Sequence, residues 1–400
     1  MPARLVPAGV GRPLRRSVFA ASLITLFALI PLLTLYGWRR ALESDSGTIV
    51  SSSAVTDPAA PGYEALVTPT STLLLVQGAP DGTLAAVTLL AAGDAGGGGV
   101  LFVPTRLVVD ADTPRPQPLS AVFAAAGAEG VGDALRRSMH IGFDSVVSVD
   151  DARWAALVAA VAPVEVDNTD ELYRVDAAGG AELAFSAGPQ ELAAESVGEY
   201  LRLGVEDESI QARLYRQELF WRAWLGGVAD TGDAGAALPG ETGSGLGLMV
   251  SQLAAPSVEV RTVPVTAIDS VSEPGLVDYQ ADVEGQALVL ADLVPFPAAG
   301  VPGDRTRVRL LDGAADQASA LGAARALVPA GAEISIFGNA DRFDYARSEV
   351  RYHDASRQPQ AAALAAVLGT DQVILEPREQ EPVDVTIVIG LDGGSAEQPR

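Results

Sequence analysis

An α/β protein is the fold class this sequence predicts: an N-terminal transmembrane helix, a three-layer α/β/α domain and a smaller α/β domain. Three observations predict it. Residues 17–38 carry no charge, over a length that crosses a bilayer. From Ser71, apolar runs of strand length separated by turn residues alternate with stretches of helical spacing. Past Pro295, Pro297 and Pro302 the alternation begins again, so a second unit follows the first. A chain of 400 residues suits two domains, or three, at roughly 150 residues each.

The charge is as unevenly distributed as the hydropathy. All 27 basic residues are arginine, against 51 acidic ones, for a net charge of −24. Residues 1–40 hold six of the arginines and no acid, which leaves 21 arginines against 51 acids and a net of −30 in the remainder. A body this acidic lacks the basic footprint that displaces counterions, so no nucleic-acid partner is expected. The absence of cysteine excludes disulfides, thiolate nucleophiles and cysteine-ligated metals. His140 and His353 are the two histidines, so a His-rich metal site is excluded, and any metal is a hard cation on carboxylates.

In chain order, residues 1–16 form an arginine-rich cytoplasmic segment and 17–38 the span, Pro31 being tolerated inside it. The four arginines ahead of the span outweigh Arg39 and Arg40 behind it, which are soon joined by Glu43 and Asp45. The body is therefore expected outside the cell membrane as a single-pass protein. A cleaved signal peptide is the rival reading, against which the length of the apolar run argues. Residues 39–70, rich in Ser, Thr, Pro and Ala, read as a tether.

The domain at 71–302 opens with strands at Thr72–Val76, Ala85–Leu90 and Val100–Val103, the loop Asp94–Gly99 reading as a flexible hairpin turn. Helices follow at Leu119–Ala126, Gly130–Met139 and Asp151–Val161, the last N-capped by Asp150, with strands at Ser145–Val149, Val164–Val166 and Val258–Val265 and a helix at Ala287–Leu293. Residues 303–392 read as strand Thr306–Leu311, helix Ala315–Leu327, strands Glu333–Phe337 and Glu349–Tyr352, helix Gln358–Leu368 and strands Val373–Leu375 and Val383–Ile389, before a tail at 393–400. His353 and Asp354 beside Tyr352 read as a surface cluster.

The stretch that bears on function is Glu206–Leu225. It reads as one helix opened by Glu206, Asp207 and Glu208 and stopped at Gly226-Gly227. Ile210, Leu214, Trp221, Trp224 and Leu225 fall on one face, with Phe220 beside them. Arg213 and Arg216 lie along the edge of that face, with Gln217 inside the apolar arc. An apolar trough rimmed by guanidinium forks suits a ligand with a greasy tail and an anionic head. The alternative is that both arginines snorkel outward to the plentiful acids.

In order, TLLLV, AAVTLL, VLFVPTRLVVD, FDSVVSVDDARWAALVAAVAPVEVD, EYLRL and RLYRQELFWRAWL resemble the LytR-CpsA-Psr (LCP) domain over roughly residues 71–265. VRLLDG, GNADRFDYARSEVRYHD and VDVTIVIG resemble the LytR C-terminal domain. The first resemblance implies an α/β/α fold that transfers polyprenyl-pyrophosphate-linked glycopolymers to peptidoglycan. Arg106, Arg202, Arg213, Arg216 and Gln217 would bind pyrophosphate, and Ile210, Leu214, Phe220, Trp221 and Trp224 would line the lipid pocket. Mg²⁺ would sit on aspartates, with Asp81 the candidate. The second implies interaction with peptidoglycan or wall proteins. The chain departs from the family pattern where Pro104-Thr105-Arg106-Leu107 replaces Pro-Arg-Asp, where Asp81-Gly82-Thr83 replaces Asp-Thr, and where Gly204 replaces an arginine. With these departures the expected function is wall assembly with catalysis impaired or lost, the alternative being a scaffold of the cell envelope.

Overall fold

The computed structural model describes residues 55–393 apart from 94–97, 112–114, 176–178, 205–208, 239, 241–244, 255–257 and 379–380. The span at 17–38, the first half of the tether and the acids Glu206, Asp207 and Glu208 lie outside the described residues. Among the described residues no helix is long and apolar enough to cross a membrane.

The first apolar runs become an antiparallel meander, Ser71–Gly78, Leu84–Ala92 and Gly98–Val103, flanked in parallel by Ser145–Val149 and Glu259–Thr262. The runs are apolar on both sides because both faces are covered. Leu73, Leu75, Leu90 and Phe102 pack towards Trp154, Phe220, Trp221 and Trp224. Leu74, Val76, Leu89 and Leu101 pack towards Leu119, Leu135 and Leu290 on the other face. The result is the expected three-layer α/β/α arrangement. Helix Asp151–Val158 begins where Asp150 accepts from Arg153 N, as its spacing predicts. The helices expected at Leu119–Ala126 and Gly130–Met139 both form and are separated by a break at Gly127, whose φ of 65° only glycine adopts easily. The single strand expected at Val258–Val265 is two, because Pro264 offers no N–H to continue the ladder. Val265–Asp269 instead pairs with Val277–Ala281 as a hairpin.

The second sheet has six strands, in the order Glu64–Leu66, Ala332–Asn339, Thr306–Asp312, Val385–Ile389, Glu349–Tyr352 and Val373–Leu375. Helices Gln317–Leu327 and Gln358–Leu368 contribute Ala320, Leu327, Leu364 and Leu368 to its core. Strand residues Glu64, Arg309, Glu349 and Arg351, with Glu376, Arg378 and Glu381 from the connection between Val373–Leu375 and Val385–Ile389, form ion pairs: Glu64–Arg309–Glu381–Arg378–Glu376 and Arg351–Glu349. His353 is buried, not a surface residue, with its ring nitrogens 2.9 Å from Glu376 O and Thr386 Oγ1.

The edge strand Glu64–Leu66 corrects the reading of 39–70 as tether throughout. It runs antiparallel to Ala332–Asn339 with Glu64 opposite Gly338, where a Cβ would meet Tyr63 O at 2.0 Å, so the close approach requires glycine. Asn339 Nδ2 donates to Pro58 O at 2.9 Å and Ala60 O at 2.8 Å. Thr70 N donates to Phe296 O at 2.8 Å and Phe296 N to Thr70 Oγ1 at 3.1 Å, which ties together the segments leading into and out of the five-stranded domain. That domain is thus inserted into the six-stranded one. Composition could not reveal this, since a three-residue strand has no period. Asn339→Ala is expected to speed amide exchange of Gly62 and Val67 by about tenfold, the equivalent of one net hydrogen bond.

Arg305 joins the two domains. Its guanidinium donates to His140 O at 3.3 Å, to Ala332 O at 3.1 and 3.2 Å, and to Val328 O. Burial pulls its pKa below the ordinary arginine value, opposed by the charge of Glu333.

Candidate functional site

The pairing register brings the candidate residues to one end of the five-stranded sheet. Gln77 is opposite Val149 and Val87 opposite Val103, so the turn holding Asp81, the segment holding Arg106 and the start of helix Asp151–Val158 all leave the same edge.

Arg202 ends the short helix Val197–Arg202. It meets Asp151 with Nε 3.2 Å from Oδ2, and Glu199 at 3.8 Å. Gly198 permits this approach, since a Cβ there would lie 2.5 Å from Asp151 Cα. Arg174 grips Glu199 bidentately at 2.6 and 2.7 Å, and these hydrogen bonds hold the Glu199 carboxyl below its ordinary pKa. The sign follows from that direction. The folded carboxylate is favoured, so the pair's stabilisation is complete above the ordinary glutamate pKa and lost as pH falls through the depressed folded value. Arg174 is 45 % exposed, so solvent screens the pair and the effect on stability is small. A carboxyl-carbon NMR titration is expected to place Glu199 below the ordinary glutamate value and to move it upward in Arg174→Ala.

The long helix runs from Ile210 to Asp230, with Ser209 Oγ accepting from Ala212 N. It does not stop at Gly226-Gly227. The next turn buries Val228 completely, which outweighs the low helix propensity of two glycines. Trp154 meets Phe220, Trp221 and Trp224 edge-on at 5.6–5.8 Å between ring centroids. Leu214 is buried with them and Ile210 packs at the margin. Among the described residues the space left beside this cluster is a cavity of about 10 Å³, lined in part by Leu75, Trp154, Leu201 and Trp221. Where the trough was expected, these aromatic rings pack against one another.

The polar residues on this helix also reach main-chain carbonyls. Gln217 Nε2 donates to Leu201 O at 3.4 Å, Arg213 Nη2 to Arg202 O, and Arg216 Nη2 to Leu203 O at 2.6 Å. The carbonyls ending a helix lack internal partners and carry partial negative charge, which favours a cation there. Positions 213, 216 and 217 lie on one helical face and together clasp the end of Val197–Arg202. Arg216 is 1 % exposed, with its guanidinium 5.7 Å from the centroid of the Tyr200 ring, so it is not on a rim.

Arg106 is drawn elsewhere. Its Nη2 lies 2.7 Å from the fully buried Asp278 Oδ1 and 3.0 Å from Ser270 Oγ, and Nε donates to Val277 O at 3.0 Å. These partners all belong to the Val265–Ala281 segment, and none is shared with Arg202, Arg213 or Arg216. Sequence reading missed Asp278, the residue that fixes Arg106; a lone acid in an alternating stretch gives no signal.

Asp81 Oδ1 accepts from Thr83 N at 3.0 Å and Thr83 Oγ1 at 2.7 Å, which lowers its pKa from the ordinary aspartate value. It is exposed and bound into its own turn. Among the described residues no group of three or more acidic or imidazole side chains converges that could hold a metal ion.

The LytR_cpsA_psr family model matches residues 105–232, and the model described as LytR cell envelope-related transcriptional attenuator matches residues 305–392. Arg106, Arg202, Arg213, Arg216 and Gln217 fall within the first match and Asp81 before it. Among curated proteins none matches. Similar solved structures include TagV of B. subtilis, at 15 % identity and TM-score 0.46, covering 57 % of this chain and 97 % of that one. A LytR-Csp2A-Psr enzyme from Actinomyces oris is 15 % identical with TM-score 0.43, covering 57 % and 94 %. TagT of B. subtilis is 17 % identical with TM-score 0.45, covering 59 % and 91 %. The chain carries a LytR-CpsA-Psr domain followed by a LytR C-terminal domain.

Proposed function

We propose that this chain serves bacterial cell-wall assembly on the outer side of the cytoplasmic membrane, held there by residues 17–38, as a relative of glycopolymer ligases in which transfer is impaired or lost. The two matched domains support the setting. One observation carries the loss of transfer: the arginines that phosphoryl chemistry would call on are engaged within the fold, Arg106 by Asp278 and Arg213 and Arg216 by main-chain carbonyls. A transferring phosphoryl group spreads charge over its oxygens and is stabilised by cations aimed at them. Here those cations are aimed at the protein. Arg202, partly exposed, is where the anionic head of a polyprenyl-linked glycopolymer would settle.

The test incubates the full chain, in detergent, with a polyprenyl-pyrophosphate-linked saccharide and peptidoglycan. The expected result is release of polyprenyl phosphate at the protein-free rate, with or without Mg²⁺, while the saccharide head binds and Arg202→Ala weakens that binding. Release that depends on protein and Mg²⁺ overturns the loss of transfer. The packing of the aromatic rings favours a second reading, a pure scaffold, which absence of any glycopolymer binding would select.

A further inference from the structure

The six-stranded sheet has an open edge. Glu64–Leu66 is its terminal strand, and among the described residues no strand lies beyond it. Asn339 N donates to Tyr63 O at 2.7 Å and Val67 N to Ser335 O at 3.0 Å, which puts residues 63, 65 and 67 on the ladder side. The main chain of an antiparallel pair alternates, so the N–H and C=O groups of Glu64, Leu66 and Thr68 turn outward. Leu66 is 85 % exposed, more than any other large hydrophobic residue among those described. Beside it lies a groove of about 630 Å³, lined in part by Val67, Phe296, Leu321 and Phe337. Open edge groups next to an exposed apolar side chain are what a further strand takes up.

The segment is complementary to itself. Antiparallel pairing of two copies about Leu66 sets Leu66 against Leu66, Ala65 against Val67 and Glu64 against Thr68. No like charges meet directly, and Glu64 already has Arg309 at 3.4 Å within its own sheet. Centring the pair on Ala65 instead would set the exposed Leu66 against Glu64. In the Leu66 register every outward group finds a partner, about six main-chain hydrogen bonds in all. Gly62 N and Thr70 N are engaged by Ala340 O and Phe296 O, so the pairing ends at Glu64 and Thr68. We propose that Glu64–Thr68 is a self-recognition edge, at which two copies of this chain pair antiparallel about a twofold axis at Leu66 and join their sheets into one. Such a contact is isologous and closes at two copies. So short a strand pair buries less than the roughly 1,200 Å² of a standard stable interface, so the association is micromolar and reversible.

Sedimentation of the full chain in detergent, at about 0.3 M salt to screen the repulsion between two acidic bodies, measures the association. The expected result is a monomer–dimer equilibrium that weakens by about tenfold or more in Leu66→Pro, which removes the central outward N–H and leaves the inner ladder intact. Leu66→Lys, which keeps the main chain and sets two cations face to face, is expected to weaken it likewise. A chain that stays monomeric at about 0.5 mM overturns the proposal, as does a dimer that both variants leave unchanged. The sequence has no cysteine, so a single introduced thiol reports the register. Under mild oxidation Leu66→Cys is expected to give a disulfide-linked dimer, because opposed residues lie about 5.5 Å apart at Cα. The two copies of Thr68→Cys fall about 13 Å apart along the strands and are expected to stay unlinked. Equal linking of the two variants overturns the register. The Leu66 and Thr68 amides are expected to gain protection from exchange as the dimer forms; protection in the monomer would show another segment on this edge and overturns pairing with a second copy.

Discussion

Replacing Arg305 with alanine is expected to destabilise the protein by about 3–5 kcal/mol, through several buried carbonyls left without a donor and the loss of a packed side chain. Its fork serves three of them, His140 O on one domain and Val328 O and Ala332 O on the other. Water cannot readily substitute, because Arg305 is buried. Arg305→Lys is expected to recover less than half of the loss, since a compact ammonium cannot span acceptors that a planar five-donor group reaches at once. Urea unfolding followed by tryptophan fluorescence measures both. A loss below about 1 kcal/mol for Arg305→Ala would mean that these carbonyls are solvated in solution.

Trp224→Ala is expected to cost a similar amount, about 3–5 kcal/mol, by the transfer and cavity terms of a large core truncation. Trp224 has no exposed surface, stacks on Phe220 at 6.0 Å and meets Trp154 and Trp221 at 5.6 and 5.3 Å. Its neighbours cannot all move in to fill the gap, because Trp154 is held by a different helix from Phe220 and Trp221. The urea midpoint and the near-ultraviolet circular dichroism are expected to fall together. A small change in both would show a loosely packed interior, able to open for a ligand.

The layered fold was legible because its signals are local. Runs such as Thr72–Val76 and Val100–Val103 are buried on both faces, and their continuous apolarity says so without reference to any partner. The cap at Asp150 and the aromatic face of the long helix were legible for the same reason. The site was less so. Arg213, Arg216 and Gln217 were correctly placed on one face of a helix, but which acceptors they meet depends on where Val197–Arg202 ends in space. Arg106 was singled out, whereas Asp278, far along the chain, determines what it does. The edge strand at Glu64–Leu66 likewise acquires meaning only from residues distant in sequence.

The pairing of Glu64 with Gly338 also imposes an order on synthesis. A ribosome delivers residues 64–66 long before residues 332–339, so the first strand waits while the entire five-stranded domain emerges and folds between them. Long-range pairing of this kind is slow, and an early strand without its partner is a place where nascent chains associate wrongly. Pro61 and Pro69 bracket the waiting strand and cannot donate to a foreign ladder, which gives the unfinished chain a measure of protection until its own partner arrives.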